Sequence, residues 1–236
     1  MTASHNLDRL VVCTDVARTY GSGPTAVVAL SGVTCTINAG ERIALVGPSG
    51  SGKSTLLHIF AGLDMPTVGS ITWPALGSRS MLRPGPVGVV FQSPSLLPPL
   101  DVLENVTLPL LLAGTKPDVA RTIASAALDT LDLGALAAKL PEELSGGQAQ
   151  RVAVARVLAS QPRLILADEP TGQLDHQVGG LVIDVLFAAA DATGAALVIS
   201  THDPFIATRL DTVWQMRDGQ ITTQQTTSKG PVSCSR

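Results

Sequence analysis

Residues 47–54, "GPSGSGKS", have the spacing of a phosphate cradle: glycines at 47, 50 and 52, a lysine at 53 and a hydroxyl at 54. Glycines let a backbone wrap closely round an anion, an ammonium adds a point charge for the outer phosphates, and a serine hydroxyl is a ligand for Mg²⁺. The flanks agree, since "RIALV" ahead reads as a buried strand and "STLLHIFAG" behind as a helix. A plain glycine turn does not explain length, lysine and flanks together. The expected contacts to a nucleoside triphosphate run through Gly47, Pro48, Ser49, Gly50, Ser51, Gly52, Lys53, Ser54 and Thr55.

A second set of groups follows far along the chain. "LILADE", 164–169, is an apolar strand ending in two acids, which would bring carboxylates to the edge of a sheet where ligands of such folds bind. Asp168 is the candidate to hold Mg²⁺, and Glu169, pointing elsewhere, to orient or deprotonate an attacking water. His202, after the strand "AALVIST", is placed to touch the γ-phosphate or that water, although a histidine at a strand end is more often structural. "TKPD", 115–118, echoes the base-reading element of GTPases. The D-x-x-G that a GTPase needs between cradle and base reader is missing there, and the stretch is better explained as a helix start with proline in the first turn.

"ELSGGQAQR", 143–151, is a second anion-facing candidate, because a serine and two glycines open an apolar run of helical character. "LSGGQ" between "GPSGSGKS" and "LILADEP" resembles the signature of the ABC-type ATPases, and the likeness covers roughly residues 10 to 222. The resemblance implies ATP as the nucleotide and Tyr20 as a ring stacked on adenine. It makes Gln92 of "VVFQ" the γ-phosphate sensor and a Mg²⁺ contact, Asp175 of "TGQLD" a nucleotide contact, and His202 of "STHD" the switch histidine. It further implies a head-to-tail pair in which Ser145, Gly146, Gly147 and Gln148 of one copy close over the ATP held by the other. A symmetric homodimer satisfies that need, since two-fold interfaces are self-complementary.

The stretch 93–114, "SPSLLPPLDVLENVTLPLLLAG", looks like the same region of ATPases from lipoprotein-releasing and macrolide- or peptide-exporting systems, which drive a separate integral membrane subunit. Many of its leucines are core, and the remainder are expected to form part of a groove for that subunit. Two departures stand out: residues 70–92 are shorter and richer in proline than the family stretch, and Ala149 replaces a polar residue. An alternative within the ABC class is a soluble ATPase of iron–sulfur assembly. The cargo is not written in this chain, because its contacts lie in the membrane subunit.

These groups need a scaffold. Strands alternating with helices point to an α/β fold of the P-loop NTPase (RecA-like) type with a mainly parallel sheet. Residues 10–46 alternate β-rich runs and turns, as expected of a small antiparallel β subdomain, and about 93–145 reads as an inserted helical subdomain. Asp218-Gly219 between apolar runs is a hairpin signal. The expected organisation is an N-terminal extension at 1–9, one ATPase domain at 10–222 and a disordered polar tail at 223–236.

Bulk properties narrow the partners. Sixteen basic against 19 acidic residues give a net charge of −3, which disfavours nucleic acid. Mean hydropathy is +0.32, yet no apolar run approaches the roughly 20 residues of a spanning helix. No secretory signal is visible, so the expected location is the cytoplasmic face of the membrane, held there peripherally. Cys13, Cys35 and Cys234 form no C-x-x-C pair and read as ordinary thiols.

Overall fold

The computed structural model describes residues 8–172, 174 and 176–226. Residues 1–7 of the expected extension, Asp175, and the tail from 227 onward with Cys234 lie outside the described residues.

The core is a six-stranded sheet. In chain order it is built from β3 (Arg42–Val46), β5 (Val87–Val90), β6 (Leu164–Asp168), β7 (Ala196–Thr201), β8 (Thr212–Arg217) and β9 (Gln220–Thr226). The spatial order is β5-β6-β7-β3-β8-β9, parallel throughout except for the β8–β9 hairpin. Every residue of β6 and β7 is buried, as expected of a parallel sheet covered on both faces. Alternation sorts their side chains between two cores. Ile43, Leu45, Leu164, Leu166 and Val198 face one, and Ala44, Ile165, Ala167, Leu197 and Ile199 the other.

The first core is closed by α1 (Lys53–Phe60) and a three-stranded antiparallel sheet of β1 (Arg9–Tyr20), β2 (Val27–Asn38) and β4 (Val68–Thr72), in the order β2-β1-β4. The sequence does not announce β4, since "VGSIT" buries only Ile71. Phe60 is fully buried with its ring edge-on to Trp214, and its carbonyl accepts the Trp73 indole N–H at 2.7 Å. Truncating a ring so placed costs about 3–5 kcal/mol. The proline-bearing stretch before β5 acts here: Arg79 and Arg83 donate to the carbonyls of Gly62 and Ala61, where α1 ends with unpaired acceptors.

The second core lies under α2 (Val102–Leu112), α3 (Pro117–Asp129), α4 (Gly146–Ala159), α5 (His176–Thr193) and the short α6 (Pro204–Thr208). Asp101 and Glu104 form a capping box that starts α2. Pro117 opens α3 with Lys116 as its N-cap, so "TKPD" is a helix start. Asp218 and Gly219 both take positive φ, 48° and 75°, as the tight hairpin turn needs. One boundary moves. Residues 223–226, grouped with the tail in the sequence, pair with β8 through Thr226↔Thr212, and their polar side chains hide the strand because only its backbone is used.

Candidate functional site

Register decides where the chemistry meets. Val46 pairs with Thr201, and Asp168 with Ser200, so the chain leaves β3, β6 and β7 at one edge. Neighbouring strands lie about 4.8 Å apart, which brings Gly47, Glu169 and His202 within about 10 Å along that edge.

The loop from Gly47 to Ser54 turns into α1 with Gly52 at the N-cap, φ 100°, and no side-chain cap. The first N–H groups of α1 are therefore left for an outside acceptor. Two glycines are forced. A Cβ on Gly47 would fall 2.2 Å from the Met216 carbonyl oxygen, and one on Gly52 would fall 2.4 Å from that of Ala29. Lys53 is buried, its ammonium donating to the carbonyls of Gly47 and Pro48 at 2.9 and 3.0 Å. The buried Ser51 hydroxyl has no hydrogen-bond partner among the described residues, an orphan that suits a phosphate oxygen. Gly219 donates to the Ser51 carbonyl, so the β8–β9 turn braces the loop.

Glu169 sits just past β6 in the left-handed region, φ 43°, which turns it away from Asp168. Its N–H lies 3.1 Å from the Ser200 carbonyl and 3.0 Å from the Ser200 hydroxyl. One Glu169 oxygen accepts from Gln92 Nε2 at 3.3 Å, and the other lies 3.7 Å from His202 Nδ1. Three residues read separately from the sequence thus converge on one carboxylate. Asp168 is buried, and one of its oxygens accepts the Ser200 hydroxyl. The sequence reading overlooked Ser200, because a serine inside a β-run has no motif of its own. Ser54, Gln92 and Asp168 offer hydroxyl, carboxamide and carboxylate oxygens, a hard donor set that fits Mg²⁺.

Tyr20 ends β1 and is partly exposed. Its hydroxyl donates to Asp64 at 2.7 Å, and the Arg18 guanidinium lies 4.5 Å over the ring, itself paired with Asp64 at 2.9 Å. One ring face is thus already covered. Burial acts to raise the Asp64 pKa, but hydrogen bonds from Tyr20, the Met65 N–H and Arg18, with the Arg18 charge, hold it below the usual carboxylate range.

The signature residues open α4. Ser145 is the N-cap, and its hydroxyl and the Gln148 side chain close a capping box with each other's backbone. A Cβ on Gly146 would meet nothing within 4 Å, and Gly147 faces only Leu174 and Val178. The structure brings the loop, Gln92, Glu169 and His202 to one edge; the neighbours of the signature are α5 and the turn before it.

Beside this edge, between α2, α4 and β5, lies a mainly apolar groove of about 550 Å³. Val87, Phe91, Leu108, Pro109 and Leu112 line it, with Arg83 and Arg156. Burial pushes both guanidiniums below their ordinary pKa, with Arg79 adding repulsion at Arg83. The ion pairs among the described residues include neither.

Comparison with known proteins agrees with this geometry. Residues 30–172 match the model of a family described as "ABC transporter". A lipoprotein-releasing system ATP-binding protein, LolD, of Pseudomonas syringae is 42% identical over 89% of this chain and 95% of the relative. LolD of Legionella pneumophila strain Paris is 43% identical over 91% and 97%. Among solved structures, the ATP-binding cassette MJ0796, a dimer in a post-hydrolysis state bound to ADP and Pi, superposes with a TM-score of 0.85. It is 36% identical, over 92% of this chain and 98% of that one. The cbiO1 protein of Clostridium perfringens, part of the ABC transporter complex cbiONQ, gives 0.79 at 30% identity, covering 93% and 89%.

Proposed function

The chain belongs to the ABC transporter family, and from that membership we propose that it is the subunit that binds and hydrolyses ATP to drive a separate membrane protein. No helix among the described residues is long and apolar enough to cross a bilayer, so transport belongs to the partner and this chain docks on its cytoplasmic face. The relatives named LolD favour a lipoprotein- or lipid-handling exporter. No relative reported above favours iron–sulfur assembly.

The observation that carries the reading is the Glu169 carboxylate held between Gln92 and His202 at the mouth of the phosphate loop. Phosphoryl transfer to water needs little covalent help and much positioning. Lys53 releases the Gly47 and Pro48 carbonyls and turns its charge to the outer phosphates. Glu169 accepts the proton of the attacking water, and His202 and Gln92 fix the direction of that carboxylate. Mg²⁺ held by Ser54, Asp168 and Gln92 would supply charge neutralisation on the β- and γ-phosphates. Tyr20 offers its uncovered face to adenine. Ser145, Gly146, Gly147 and Gln148 seal the ATP of a second copy, so that ATP binding favours the closed pair and ADP with phosphate lets it open. Asp175 keeps the nucleotide contact implied by the family resemblance.

The groove beside Gln92 takes a cytoplasmic segment of the membrane subunit. Two guanidiniums without a carboxylate partner among the described residues select an occupant that sets an acidic side chain among apolar ones.

Glu169→Gln is expected to keep ATP affinity, lower turnover by about 10²-fold or more, and accumulate as a closed dimer on sizing with magnesium and ATP. Lys53→Ala is expected to lose nucleotide affinity. Unchanged turnover in Glu169→Gln removes the proposed base.

A further inference from the structure

Gln92 leaves β5 on a segment with no regular structure of its own until α2 begins at Val102. The buried Asn105 of α2 holds its far end through Leu97 and Leu100, and α4 holds the end next to Gln92. The buried Gln150 donates from Nε2 to the Phe91 carbonyl at 3.1 Å, one residue before Gln92. Arg156 donates from Nη1 to the Ser95 carbonyl at 2.9 Å and from Nη2 to the Pro94 carbonyl at 3.2 Å, three and two residues after it. The backbone at Gln92 is thus gripped on both sides by the same helix. A buried carboxamide and a largely buried guanidinium are costly groups to place inside a protein unless their donors are used. Here both are used on the backbone that carries Gln92.

The other end of α4 is the signature. Ser145 and Gly146 are exposed at its N-terminus, so a nucleotide bound there is felt by a rigid rod whose second and third turns hold Gln92. Gln92 in turn donates to the Glu169 carboxylate. We propose that Gln150 and Arg156 are positioning residues: they fix Gln92 against Glu169 and link this chain's hydrolytic centre to the ATP that its own signature seals in the partner. This rests on the two-copy reading above and adds to it a mechanical link between the two sites.

The test is a double-mutant cycle on the full chain assembled with its membrane subunit, read as steady-state ATPase. Gln150→Met, close in volume and lacking the donor, is expected to lower kcat about fivefold with KM within about twofold. Arg156→Met is expected to lower kcat about tenfold, and Arg156→Lys, which keeps a donor, to restore it to within about twofold of the parent. In a Gln92→Ala background the same substitutions are expected to add less than about 1.5-fold, because their target is gone. The Hill coefficient for ATP is expected to fall toward one in both Met variants. Equal losses with and without Gln92, failure of lysine to rescue, or an unchanged Hill coefficient overturns the inference. A Glu169→Gln chain that stays monomeric with magnesium and ATP defeats the two-copy reading instead; one that pairs while the cycle is additive defeats this inference alone.

Discussion

The molecule has two anion-facing helix starts, and they are built on opposite plans. At α1 the glycines are forced from inside: Gly47 and Gly52 lie against the Met216 and Ala29 carbonyls, where a methyl group has no room. The N-cap has no side-chain bond, Lys53 is folded onto its own loop, and the Ser51 hydroxyl has no partner among the described residues. At α4 the N-cap is already satisfied by the Ser145–Gln148 box, no cation stands within "LSGGQ", and Gly146 faces open space among the described residues. None of the described residues requires glycine at 146, as expected if the requirement comes from the second copy of the proposed pair. On the proposed reading the first cradle is crowded and completed by a phosphate, and the second is relaxed and completed by a second molecule.

That contrast is testable by giving each site one methyl group. Gly52→Ala has the largest expected effect: a backbone collision in a left-handed conformation, about 3 kcal/mol or more of stability lost, and no measurable ATP binding. Gly146→Ala should do the reverse to the isolated chain. Alanine is the better helix former by up to about 1 kcal/mol, so thermal unfolding should occur at the same or a higher temperature with ATP affinity unchanged. Closure of the pair, followed by sizing in the Glu169→Gln background, should weaken by about tenfold or more as the methyl group enters the space of the partner's nucleotide. A Gly146→Ala chain that closes normally breaks the comparison.

Legibility in the sequence follows the same division. The phosphate loop, "LILADE", the α3 start and the Asp218-Gly219 turn were readable because each depends on residue types at fixed local spacing. The convergence of Gln92, Glu169 and His202 needed the register of β5, β6 and β7, which no local pattern states. Ser200, Asp64 and the Gln150 and Arg156 contacts were silent for a related reason: most act on backbone carbonyls or on carboxylates far away in sequence, and any residue supplies a carbonyl. The end of β9 was missed because an edge strand held by its backbone alone can carry "TTQQT".

A smaller effect is expected where the chain meets its membrane partner. Arg83 lines the groove and lies in the shortened stretch that departs from the family. Arg83→Gln, which keeps a donor for the Ala61 carbonyl, should leave the ATPase of the isolated chain within about twofold while weakening assembly with the membrane subunit by about fivefold, because a desolvated charge pair is lost. Pull-down at two salt concentrations separates this from loss of packing: a charge effect shrinks as salt rises, and a packing effect does not.

The smallest effect should come from the far end of the nucleotide, where the first cradle gives way to a ring held by charge. Asp64 fixes Tyr20 through its hydroxyl and holds Arg18 over one ring face, leaving the other for a base. Stacking on that face persists if the tether is only weakened, so Asp64→Asn should raise the ATP dissociation constant about two- to threefold, against a larger loss for Tyr20→Ala, which removes a stack worth about 1–3 kcal/mol. The pH dependence has a fixed sign. The folded-state pKa of Asp64 lies below its ordinary value, so its contribution is fully present at neutral pH and is lost only as pH falls below the ordinary carboxylate range. The ratio of parent to Asp64→Asn affinity, followed by fluorescent nucleotide titration, should therefore stay flat from pH 8 to about pH 5. A ratio that collapses near pH 6 would assign the adenine-side tether to a different group from Asp64.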